Sequence, residues 1–145
     1  MIKVLCVGKI KEKYLEDLIN DYLYRINKYY KLEIIEVKDN NNIKEETKSL
    51  LKYINKNDYI ISCSIEGKNY SSIEFAHFLD KQFINNSSIT FIIGGSNGIE
   101  KEILDMCNTS ISFSSFTFPH GLFRGILLEQ IYRAIKINKN ETYHK

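Results

Sequence analysis

The sequence predicts an α/β fold: a mainly parallel sheet of five to six strands with helices on both faces. Three observations lead there. Short apolar runs alternate with longer amphipathic stretches along the whole chain. Several of these runs are apolar without a break, as strands covered on both faces require. The length, 145 residues, suits one compact domain, and no repeat, Pro-rich linker or low-complexity tract divides it. A single domain over residues 1–145 is therefore expected.

Each element follows in order. Ile2–Gly8 reads as a buried strand. Glu12–Tyr30 reads as a long helix, with Leu15, Leu18, Ile19, Tyr22, Leu23 and Ile26 along one stripe. Leu32–Val37 is strand-like, and Asn42–Asn55 is a polar amphipathic helix built on Ile43, Leu50, Leu51 and Ile54. Tyr59–Ser64 is the third strand, followed by a turn at Glu66-Gly67-Lys68. Ser71 or Ser72 then caps a helix that buries Ile73, Phe75, Ala76, Phe78, Leu79 and Phe83. Ser88–Ile93 is the fourth strand, Ile99–Cys107 a helix, and Ser110–Phe113 a short fifth strand. A last helix runs from about His120 to Asn138.

Composition removes several classes of function. Hydrophobic residues make up 43% and charged residues 26%, enough for a core that needs no disulfide or metal staple. Cys6, Cys63 and Cys107 are odd in number and lack zinc-site spacing, so reduced thiols in a cytoplasmic protein are expected. Met1–Gly8 is too short for a signal peptide, and no run approaches a membrane span. Acidic residues are not spaced for a hard metal or for paired-carboxylate catalysis. The net charge of +2 is no argument for nucleic acid. Its distribution is more informative: +3 over residues 1–31, −4 over 32–119 and +3 over 120–145. Basic ends that meet in space would make a phosphate-facing surface.

In open α/β sheets ligands sit beyond the carboxyl ends of the strands, so three loops matter most. Gly94-Gly95-Ser96-Asn97-Gly98 precedes a helix; it reads equally as a cofactor loop or as a tight strand-to-helix turn. It is neither G-x-G-x-x-G nor a P-loop. Cys63–Lys68 forms a second connection. Ser114–Gly121 holds the only proline, at a helix start, and places Phe116 and Phe118 where a solvent loop would not. The last helix is apolar on more than one face, which suits a central position or a second subunit. Gly125 inside it points to close helix–helix approach. His77 reads as structural, whereas His120 and His144 each flank a loop or terminus near Arg124, Arg133, Tyr143 and Lys145.

Four segments together resemble a known family. They are Phe91–Gly98, Ser112–His120, Leu127–Ala134 and Tyr143-His144-Lys145, and their order and spacing are similar to the RlmH family of SPOUT-class methyltransferases. The resemblance covers nearly the whole chain. It implies methyl transfer from S-adenosyl-L-methionine to N3 of a pseudouridine in bacterial 23S ribosomal RNA, on the assembled ribosome. It also implies a C-terminal trefoil knot, which general folding rules treat as an exception, and a homodimer. The cofactor residues it implies are Cys63, Gly94, Gly95, Ser114, Ser115, Phe116, Thr117, Phe118 and Pro119.

A sulfonium methyl is already activated, so no metal is needed and alignment dominates. The acceptor imide must lose a proton, for which His120 and His144 are the titratable candidates. Arg133 is expected to hold a phosphate or carbonyl, with Tyr143 stacking or hydrogen bonding. Two positions depart from the family pattern: Cys63-Ser64 stands where members carry Leu-Asp, and Thr142 where they carry proline. Two other readings stand beside this one. One is a non-catalytic ribosome- or RNA-binding module with a vestigial cofactor pocket. The other is a related methyltransferase acting on a different RNA position or on tRNA.

Overall fold

The computed structural model describes residues 1–145. Its elements are β1 (Ile2–Val7), α1 (Lys13–Asn27), β2 (Leu32–Val37), α2 (Ile43–Leu51) and β3 (Tyr59–Asn69). They continue with α3 (Ser72–Asn85), β4 (Ile89–Ile93), α4 (Lys101–Leu104), β5 (Thr109–Ser112) and α5 (His120–Asn138). The five strands form one sheet in the order β2-β1-β4-β3-β5, and every pairing is parallel.

The sheet divides two cores, because successive side chains of a strand point to opposite faces. On one face Ile2, Val4, Cys6, Phe91 and Ile111 pack with Ile19, Leu79, Leu127, Leu128 and Ile131, under α1, α3 and α5. On the other, Leu5, Val7, Ile60 and Ile92 pack with Leu50 and Ile103, under α2 and α4. The first face carries more apolar surface, so α5 is the central helix: its Leu127, Leu128 and Ile131 are fully buried. An added Cβ at Gly125 would lie 2.8 Å from Leu18 Cδ2, which is the close approach of α5 to α1.

Local chemistry sets the ends. The Asn27 side chain donates to the Leu23 and Leu32 carbonyls and accepts from the Leu32 amide, turning the chain out of α1 three residues before Tyr30. Asn42 caps α2 by accepting from the Lys44 amide. Ser71 caps α3 through a full capping box with Glu74. Arg124 of α5 is buried; it donates to Glu36 Oε2 at 2.6 Å and to the Gly8 carbonyl at 3.2 Å. This ties the ends of β1 and β2 to the last helix.

α2 stops at Leu51 rather than Asn55, where the Tyr53 and Ile54 amides close short turns onto Leu50 and Leu51. On α3, Ile73 in the first turn is exposed and Phe78 and Phe83 are half-buried, so of the expected residues only Phe75, Ala76 and Leu79 are buried. Two further elements differ more. The turn at Glu66-Gly67-Lys68 is instead part of β3. Cys63 and Lys68 both pair with Ile111, so residues 64–67 form a bulge between two stretches that pair with β5. A Cβ on Gly67 would lie 2.6 Å from the Ile111 carbonyl carbon, so only glycine lets β5 pass so near. The helix expected over Ile99–Cys107 contracts to Lys101–Leu104, because residues 98–100 complete the glycine turn and Met106 and Cys107 close onto Ile103 and Leu104.

Candidate functional site

Beyond the carboxyl ends of β3, β4 and β5 lies a cavity of about 690 Å³. Three walls make it. The β3 bulge gives Cys63, Ser64, Ile65 and Glu66; the glycine turn gives Gly94, Gly95, Asn97 and Gly98; β5 and its loop give Ser112, Phe113, Ser114, Phe116, Thr117 and Phe118. His120, the first residue of α5, and Phe123 close it. Ser115 and Pro119 belong to the same loop but lie outside the lining.

The glycine turn is narrow for a reason. Gly98 takes φ +79°, and a bridge joins Gly95 to Gly98. A Cβ on Gly94 would lie 2.6 Å from the Gly98 carbonyl oxygen, and one on Gly95 would lie 2.8 Å from Val7 Cγ1. Behind the turn, the buried Glu46 accepts from the Asn40 amide at 2.8 Å, and Asn97 donates to the Asn40 carbonyl. Ser114 accepts from the Phe116 amide at 3.0 Å, a short turn that leaves Phe116 largely exposed at the mouth.

Burial pushes the Cys63 thiol up to about 12, with Cys107 adding to the effect. Cys63 is therefore a neutral wall and not a nucleophile. Position 64 lacks a carboxylate, but Ser64 donates to Glu66 Oε2 at 2.7 Å, which holds an acid in the cavity wall two residues on. That hydrogen bond lowers the Glu66 pKa.

Arg133, Tyr143 and His144 lie elsewhere, at the far end of α5. Glu129 organises them: its carboxylate accepts from Arg133 Nε and Nη2, from the Tyr143 hydroxyl at 2.7 Å and from Gln130 Nε2. The Arg133 guanidinium lies 4.8 Å from the centre of the Tyr143 ring, which meets Tyr132 edge-on. Burial, reinforced by Tyr22 and Glu129, raises the Tyr143 pKa, so its phenol stays protonated. Arg133 Nη1 lies 3.0 Å from His144 Nδ1. A guanidinium only donates, so Nδ1 accepts and the ring proton sits on Nε2.

The chain turns back to this cluster at Asn140, with φ +55°. Glu141 is fixed by Lys136 at 2.6 Å and by the Tyr29 hydroxyl at 3.0 Å. His120 and Arg133 are thirteen positions apart on one helix, roughly 20 Å at 1.5 Å per residue. Within one chain the structure therefore keeps His120 apart from the group of Arg133, Tyr143 and His144. Glu66, Glu129 and the second wall residue Asn97 were not singled out in the sequence; only the helical spacing of Glu129 to Arg133, four residues, signals such a pair.

Comparison with known proteins follows the same outline. Residues 1–144 match the family model described as predicted SPOUT methyltransferase. A relative from Clostridium acetobutylicum, named ribosomal RNA large subunit methyltransferase H, is 45% identical over 99% of both chains. One of the same name from Carboxydothermus hydrogenoformans is 44% identical, again over 99% of both. Among solved structures, a probable methylase family protein from Haemophilus influenzae superposes with a TM-score of 0.59 at 10% identity, over 99% of this chain and 70% of that one. The SpoU methyltransferase AviRb from Streptomyces viridochromogenes gives 0.51 at 9%, over 98% and 62%. These two likenesses concern the fold. No helix is long and apolar enough to cross a membrane.

Proposed function

The chain belongs to the SPOUT methyltransferase family, among the ribosomal RNA large subunit methyltransferases H, and on that premise we propose that it methylates large-subunit ribosomal RNA. The finer reading is N3 of a pseudouridine as acceptor, S-adenosyl-L-methionine as donor, the assembled ribosome as substrate and the cytoplasm as location. The observation that carries it is the three-walled cavity that ends at His120.

The cavity fits the cofactor. Its volume, about 690 Å³, lies within the range of whole-ligand sites. Phe116 and Phe118 offer faces for a purine, Glu66 offers acceptors for ribose hydroxyls, and the glycine turn lets a ligand reach the backbone. Bound there, S-adenosyl-L-methionine supplies a methyl group already activated by its positive sulfur. The protein then has to align the acceptor nitrogen and take its proton. We assign the proton to His120, which lines the cavity, since Nδ1 of His144 is occupied by Arg133. Arg133 and the Nε2–H of His144 serve as donors to the RNA.

One chain cannot bring these groups to one acceptor with roughly 20 Å of helix between them. A homodimer resolves this. If two α5 helices pack antiparallel about a two-fold axis, each C-terminal cluster meets the partner's cavity mouth. Exposed Leu122 on α5 supplies an apolar contact there. The C-terminal knot is part of this family reading.

The test is incubation of the purified protein with methyl-labelled S-adenosyl-L-methionine and one of three RNAs: unmethylated ribosomes, free ribosomal RNA or tRNA. Label in ribosomes, mapped to N3 of one pseudouridine, is expected. Label in tRNA alone, or in no RNA, overturns the reading. The modest net charge of +2 also predicts weak, strongly salt-dependent binding to naked RNA.

A further inference from the structure

A second cavity, of about 220 Å³, lies beside the first. The two share Ile111, Ser112, Phe113 and Phe118, so this side chamber adjoins the first cavity along the wall where β5 meets the loop before α5. It is smaller than the roughly 300–1,000 Å³ of whole-ligand sites, and suits a single ring. Its sides are aromatic: Tyr70 and Phe75 from the α3 side face Phe113 and Phe118. Its polar edge is Ser72, at the start of α3, with Gln130 of α5.

That edge has a fixed polarity. An amide side chain can be turned either way, but Gln130 bonds to Glu129, and a carboxylate only accepts. Gln130 Nε2 therefore faces Glu129 Oε1, at 2.9 Å. Gln130 Oε1 faces the chamber, where it accepts from Ser72 Oγ at 2.8 Å and keeps a second lone pair. Glu129 is itself held by Arg133 and Tyr143, so the orientation is locked from the C-terminal cluster inward. Along α5 the order is His120 at the cofactor cavity, then Ile126 and Gln130 at the chamber, then Arg133.

We propose that this chamber receives the target pyrimidine and that Gln130 Oε1 accepts the ring N–H that pseudouridine has and uridine lacks. The inference rests on the pseudouridine-N3 reading above. A base acted on by an enzyme has to leave its stack, and aromatic walls with one polar edge hold it once it has. With N3 turned toward the shared wall and the cofactor cavity, the second ring N–H, at N1 beside a single carbonyl, remains for recognition. In uridine that nitrogen carries the sugar and has no proton. An acceptor-only edge therefore distinguishes the two by one hydrogen bond.

The experiment compares single-turnover methylation of ribosomes bearing pseudouridine with ribosomes bearing uridine at the target, for the wild type and for Gln130→Leu. The wild type is expected to favour pseudouridine. Gln130→Leu should slow the pseudouridine reaction roughly tenfold more than the uridine reaction and bind S-adenosyl-L-methionine normally. Ser72→Ala, a smaller change, should narrow the preference in the same direction and guards against misfolding of the first variant. Equal slowing on both ribosomes overturns the assignment, as does a loss of cofactor affinity, which would make the chamber part of the first cavity. A wild type that labels neither ribosome instead refutes the function itself.

Discussion

At its N-terminal end α5 opens on a cavity of about 690 Å³ walled by three loops, while at its C-terminal end polar groups close on one another. The loops leave surface for something that arrives and departs. The cluster is assembled before any ligand comes: Glu129 alone receives four hydrogen bonds, and Lys136, Tyr29 and Glu141 hold the returning tail. Pre-organisation of this kind removes the ordering cost from the reaction step. Under the proposed function the contrast becomes a division of labour, in which the loops would bind the cofactor and the cluster would present fixed donors to RNA.

The strongest way to break that comparison is complementation. His120→Ala and Arg133→Ala should each lower methylation on the order of 10²-fold. When the two variants are mixed as dimers, about a quarter of wild-type activity should return, because half of the dimers are mixed and each has one whole site. No recovery would mean that both ends of α5 serve the same chain. A smaller effect should follow from Glu129→Gln, which keeps the shape but removes the charge. Stability should drop by about 1–3 kcal/mol in urea titration, and activity should fall while cofactor affinity holds. If cofactor affinity falls as well, the two ends are coupled rather than separate.

The smallest effect belongs to the cavity wall. The Cys63 thiol is pushed from its ordinary 9.0 up to about 12, first by burial and then by Cys107. Below pH 9 folded and unfolded chains both keep that proton, so stability does not depend on it. Above pH 9 only the unfolded chain releases it, and stability should fall as pH rises toward about 12, by about 1.4 kcal/mol per unit at most. Urea midpoints at pH 8 and pH 10 check this; Cys63→Ala should show the smaller drop.

Much of this was legible in the chain. The bounds of α5, His120–Asn138, follow from a proline that can only precede a helix and from sustained apolar spacing. The glycine turn, readable as a cofactor loop or as a tight turn, and the aromatic loop, readable as a pocket wall, both line the cavity. The course of β3 did not, since its second pairing with Ile111 depends on a partner over 40 residues away, and a glycine between polar neighbours looks like a turn. The gap between His120 and Arg133 was hidden for another reason. Closeness in sequence suggested one cluster, although a continuous helix converts thirteen positions into roughly 20 Å. The Gln130 orientation needs the whole bond network and has no trace in spacing.

The strand order has a consequence for how the chain is made. β1 lies between β2 and β4, so during synthesis it can pair on one side within some 30 residues, once Leu32–Val37 is made. Its other edge must wait until Ile89–Ile93 has been added. During that interval an apolar strand edge is uncovered, the state most open to mispairing with other chains. β5 arrives later still. Birth of this protein should thus be largely a late, concerted closure around α5, and the half-made chain is where a chaperone would be needed.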